Sequence, residues 1–162
     1  IKHYHRVSRG LIRVYADELS YPLHVIMRTR LERQMISGEL TVEQLPDAWN
    51  AASEAVLGVR PDSHSVGSLQ DIHWYSGAFG YFPTYTLGAL AAAQIFDAAK
   101  RAMPQIQNDL RQGDVSALLG WLRNNIHAWA SSKSTDEIIE AVSGRPLSIE
   151  PFLVHLRQRY LN

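Results

Sequence analysis

From Leu11 to Met35, apolar side chains recur at three- and four-residue intervals: Leu11, Tyr15, Leu19, Leu23, Ile26, Met27, Leu31 and Met35. That spacing lays a stripe along a helix, whereas a half-buried strand needs strict alternation. It predicts a helix over 11–36 that stops at Gly38, with Pro22 kinking it or breaking it near Ser20. Pro46 opens and Gly58 closes a shorter helix, and an Ala-rich helix over 87–103 ends at Pro104. Another covers 105–111, and Asp114 caps one that reaches Trp129. Ser134 or Thr135 with Glu137 resembles a capping box for a helix closed by Gly144, and Ser148 caps a last one ending at Tyr160. No alternating stretch appears. The predicted class is all-α, an irregular helical bundle read as a single segment over residues 1–162.

Composition narrows the function classes. Sixteen Lys and Arg cancel sixteen Asp and Glu, so bulk charge favours neither nucleic acid nor an anionic membrane as partner. Apolar runs such as 87–95 are far short of a membrane span. Cysteine is absent, which excludes disulfides and thiolate chemistry and is compatible with a reducing cytoplasm. The chain opens on Ile1 and reads as a segment of something longer.

Three constellations could carry chemistry. The run Gly67-Ser68-Leu69-Gln70-Asp71-Ile72-His73-Trp74 places four side chains that each need a hydrogen-bond partner if buried. It is either a polar knot fixing a loop or a wall with His73 as proton handler. Next comes Gly77 to Tyr85, glycine-hinged, with Tyr81 and Tyr85 as phenols that could face a developing oxyanion or simply pack. Third, Arg13 and Asp17 are four apart, so on the predicted helix they form an exposed ion pair or an arginine fork for an anion. Seven histidines raise a metal hypothesis, but His3-x-His5 is the only close pair and no H-E-x-x-H occurs. His24, His127 and His155 fall in predicted helices as ordinary, partly buried residues. No metal ligand is assigned within the chain.

These pieces resemble one family. Ile12-Arg13-Val14-Tyr15-Ala16-Asp17 is similar to the [IV]-R-x-x-A-D signature of metallocarboxypeptidases typified by carboxypeptidase Taq, and Gly67 to Trp74 matches its G-x-x-Q-D-x-H-W signature. The stretches 79–88, 126–147 and 152–160 resemble the same family, so the likeness covers essentially the whole chain. It implies the C-terminal portion of a larger, mostly helical enzyme that removes single residues from peptide C-termini. The metal, zinc or cobalt, is held in that family by an H-E-x-x-H and a later H-E-S, which this sequence lacks. The resemblance implies no metal in this segment, no activity on its own, and a cytoplasmic homodimer as parent.

The same resemblance assigns roles. Arg13 would grip the substrate carboxylate, and Asp17 would hold Arg13 or orient a metal-binding histidine from outside the segment. His73 with Tyr85, in preference to Tyr81, would steady the oxyanion. Gln70 and Asp71 would position His73, and Gln70 and Trp74 would help shape the substrate wall. The competing class is a helical interaction module without catalysis. It predicts exposed apolar surface at Leu11, Leu23, Val25 and Met27 and along the Ala-rich helix from Leu87.

Overall fold

The computed structural model describes residues 6–161, and seven α-helices with no strand occur among them. The all-α class is therefore correct. His3 and His5 lie outside the described residues. The chain divides into two compact units, Ile1–Leu87 and Gly88–Asn162.

In the first unit, α1 (Tyr21–Ser37) packs on α2 (Leu45–Leu57). Met27 and Leu31 of α1 bury against Leu45, Trp49 and Leu57 of α2, and Trp74 packs onto this cluster from the following loop. Gly38 and Gly58 end the two helices with φ near +79° and +70°, a conformation that disfavours any side chain with a Cβ.

The predicted helix over 11–36 begins ten residues late. Arg13–Tyr15 forms a short 3-10 segment, and residues 16–20, which end in a turn, are not α-helical. Two local effects explain the difference. Asp17 turns its Oδ1 onto the backbone N–H groups of Leu19 and Ser20, which competes with helix hydrogen bonding. Pro22 then takes the first turn of α1, where its missing N–H costs nothing. The apolar repeat consequently splits. Tyr15, Leu19, Leu23 and Ile26 are exposed, while Val25, Met27 and Leu31 are buried. Val25 and Met27 thus do not belong to an exposed patch, although Leu23 and Leu87 do contribute exposed apolar surface.

The second unit holds the remainder of α3 (Phe82–Ala102) with α4 (Ile106–Arg111), α5 (Ser116–Asn125), α6 (Thr135–Ser143) and α7 (Glu150–Tyr160). Ala98, Ala99, Ile106, Ile139, Phe152 and Leu156 are its buried apolar residues. Buried Gln94 fixes the α6–α7 loop, donating to Ser143 Oγ, Arg145 O and Pro146 O and accepting from Ser148 N–H. The Ser134–Glu137 capping box forms as predicted. The helix predicted to reach Trp129 stops at Asn125, and His127–Trp129 continues as a 3-10 turn, so His127 is exposed and outside a helix.

Candidate active site

The site is built within the first unit, where the 64–81 loop folds back on α1. Arg28 lies at its base with 0% exposure. Its Nε donates to Asp71 Oδ2 at 2.6 Å, Nη2 to Gln70 Oε1 at 2.8 Å and Nη1 to the His24 carbonyl at 3.0 Å. The guanidinium also lies 4.6 Å from the centroid of the Trp49 ring. Arg13, 6% exposed, takes the other oxygen of the same carboxylate, donating from Nε and Nη2 to Asp71 Oδ1 at 3.0 and 2.8 Å. Its Nη1 donates to the Tyr21 hydroxyl at 2.8 Å. Two buried guanidiniums therefore share one carboxylate, each paired on its own oxygen.

Gln70 completes this knot. Its Oε1 accepts from the Arg13 backbone N–H and from Arg28, and its Nε2 donates to Leu11 O, Val66 O and Gly67 O. With its amide used on both sides, Gln70 ties the loop down and makes no hydrogen bond to His73. Gln70 also lines the depression that opens beside this knot. The Arg13–Asp17 pairing is also absent. Asp17 caps residues 19 and 20 and accepts from the Ser8 N–H through Oδ2. Burial alone would raise its carboxyl, but these backbone N–H groups hold it below its ordinary 3.8.

Above the knot, His73 Nε2 and the Tyr85 hydroxyl are hydrogen-bonded at 2.9 Å. The imidazole packs against Phe82 at 4.4 Å and near Tyr81 at 5.5 Å between ring centroids. Its Nδ1 is buried and without a hydrogen-bond partner, 4.0 Å from Asp71 Oδ1. Burial first, then the charge of Arg13, pushes the His73 pKa below 6.5, so the ring is neutral at pH 7. Burial raises the Tyr85 phenol above 10, and Arg13 opposes it. Arg13, Gln70, Asp71, His73, Tyr81 and Tyr85 together line an open depression of about 420 Å³. Trp74 does not line it. Its indole N–H donates to Glu32 at 2.7 Å and its ring meets Trp49 and Phe82 edge-on.

Periodicity missed Arg28, Glu32 and Tyr21. The available signal was His24, Arg28 and Glu32, four apart on the helix face that also buries Leu31. Polar residues in a buried register call for partners elsewhere.

The sequence profile of the family described as carboxypeptidase Taq (M32) metallopeptidase matches residues 1–160. The chain belongs to that family. It is 42% identical over 154 residues to thermostable carboxypeptidase 1 of Thermus thermophilus, covering 95% of this chain and 30% of that protein. It superposes with a TM-score of 0.92 and 46% identity on the M32 carboxypeptidase of Deinococcus radiodurans, covering 95% of this chain and 31% of that one. For metallocarboxypeptidase 1 of Trypanosoma cruzi the TM-score is 0.95 at 39% identity, over 99% of this chain and 34% of that one. The chain thus spans about a third of the length of the M32 relatives it matches. The family implies a divalent metal, but among the described residues no group of three or more His, Cys, Asp or Glu could hold one. The described side chains do not fit that ion. No helix among them is long and apolar enough to cross a membrane.

The buried charges make stability pH-dependent in a definite direction. Burial, then Arg28 and Arg13, lowers the His24 pKa from 6.5 to about 4. Between those values the unfolded chain binds a proton that the folded one refuses, so stability is full above pH 6.5 and falls toward pH 4, by on the order of 3 kcal/mol. Burial alone would raise the Asp71 carboxyl, but Arg28 and then Arg13 hold it below 3.8, so its contribution persists above that value and is lost further into acid. Thermal melts from pH 7 to pH 3 should show both losses, with His24→Gln flattening only the first. Parallel curves for wild type and variant would refute the histidine's part.

Proposed function

We propose that this chain supplies one wall of a metal-dependent carboxypeptidase site, binding the free α-carboxylate of a peptide and steadying the oxyanion at its last peptide bond. The observation that carries this reading is the His73–Tyr85 hydrogen bond at 2.9 Å opening onto the same depression as Arg13.

A guanidinium has five N–H donors, and three of those on Arg13 are engaged by Asp71 and Tyr21. Two remain for a carboxylate, and the paired arrangement behind them holds the fork still. With His73 in its Nε2–H form, the imidazole donates to the Tyr85 oxygen and leaves the phenolic hydrogen free for the oxyanion. Tyr81, 5.3 Å from Tyr85 between ring centroids and half exposed, forms the rim of the depression. In this reading Asp71 acts on Arg13 and Arg28 first, and on His73 only through its charge.

The metal is proposed to be zinc or cobalt, held by residues this chain lacks, and when bound it supplies the activated water. The chain alone is proposed to be inactive. A cytoplasmic homodimer is the corresponding proposal for the parent, resting on the family likeness and, for location, on the cysteine-free sequence.

Arg13→Ala, made in the protein that carries this chain, should raise KM for free-carboxylate peptides roughly 10- to 100-fold and leave kcat within a few-fold. It should also abolish any preference over the C-terminal amide, and Arg13→Lys should recover part of that preference. An unchanged KM removes Arg13 from substrate binding. The second reading is a non-catalytic interaction module, favoured by the exposed side chains of Val14, Tyr15, Ile72 and Tyr75. Chelator-sensitive release of C-terminal residues decides against it.

A further inference from the structure

We propose that Glu32 is a positioning residue that sets the His73–Tyr85 geometry by tethering both chain segments that carry the pair. The proposal deepens the function given above and takes its catalytic meaning from it.

Glu32 sits on α1 at 5% exposure. Its Oε2 accepts from the Trp74 indole N–H at 2.7 Å and its Oε1 from the Gly80 backbone N–H at 2.6 Å. Among the described residues no Lys, Arg or His stands within ion-pair distance of it. The carboxylate is therefore spent on two N–H groups and not on a counter-charge. Trp74 directly follows His73, and Gly80, at φ +76°, is the bend that leads through Tyr81 into α3, which carries Phe82 and Tyr85. The His73–Tyr85 bond joins the same two segments that Glu32 joins from below. Phe82 fills the space between, packing on His73 at 4.4 Å and on Trp74 at 5.7 Å. A carboxylate is the group this arrangement requires, because both partners donate and both oxygens accept. A glutamine in its place turns an amide N–H against one of the two donors.

Titration of His73 by ring-nitrogen NMR in the wild type, Glu32→Gln and Trp74→Phe tests the proposal. Burial first, then Arg13 and Arg28, lowers the His73 pKa, whereas Asp71 and Glu32 raise it. A purely electrostatic Glu32 predicts that Glu32→Gln moves the His73 midpoint lower still. A positioning Glu32 predicts the opposite, because the loosened pair admits water and the midpoint climbs toward 6.5. We expect the upward shift, together with loss of the Tyr85 hydrogen-bond signature on Nε2. Trp74→Phe deletes one donor, keeps the Glu32 charge and retains an aromatic ring, and it should shift His73 the same way by a smaller amount. It carries the test should Glu32→Gln fail to fold.

A midpoint that falls or stays still in Glu32→Gln, or in Trp74→Phe where the first variant is unfolded, overturns the proposal. The titration needs no turnover. An upward shift in a protein without carboxypeptidase activity would therefore sink the proposed function while leaving the tether intact. In an active parent, Glu32→Gln should lower kcat and leave KM unchanged.

Discussion

Asp71→Asn should destabilise the protein by about 3–5 kcal/mol, because it leaves two guanidiniums, one of them fully buried, without a counter-charge. The asparagine cannot serve as the acceptor for both: one oxygen remains where Arg13 and Arg28 each used their own. Arg28 suffers most. Its other partners are the Gln70 amide oxygen and the His24 carbonyl, which satisfy hydrogen bonds but carry no charge. Arg13→Met should cost less, since it leaves the Arg28–Asp71 pair whole at the more buried end. Denaturant melts of the two variants give the comparison directly. A loss under about 1 kcal/mol in Asp71→Asn, the range of exposed pairs, would mean that the knot is solvated.

The second large effect concerns turnover. Tyr85→Phe and His73→Ala, in the protein that carries this chain, should each lower kcat roughly 100-fold, the usual cost of one lost oxyanion donor. The double variant should be little worse than either single one, because the two side chains share a hydrogen bond and act as a unit. KM should move little. Additive losses in the double variant would show two independent contributions and would contradict the paired arrangement.

What the sequence made legible was the chemistry that acts locally. Gly38, Gly58 and Gly144 end their helices as expected, and the Ser134–Glu137 box starts one, because caps depend on neighbours within a turn. His73, Tyr85 and Arg13 were singled out from their motifs, and the fold brings them to one depression. Their partners were not legible. Apolar spacing alone put Arg13 in a helix facing Asp17, but the Asp17 side chain accepts from the backbone N–H groups of Leu19 and Ser20 and breaks the register there. Asp71 is fifty-eight residues from Arg13 and forty-three from Arg28 along the chain, beyond any local rule. Glu32 sits in the middle of α1 between Leu31 and Arg33, and only the returning loop makes it internal. Nor were the contacts of Trp74 legible: its ring packs edge-on against Trp49 and Phe82, and its indole N–H goes to Glu32.

The most direct test is the hydrolysis of one peptide and its C-terminal amide, side by side, by the protein that carries this chain. The free acid should lose single residues from its C-terminus, the amide should be left intact, and a chelator should stop the reaction. Equal cleavage of acid and amide, or release of internal fragments, would contradict a site in which Arg13 reads the terminal carboxylate beside His73 and Tyr85.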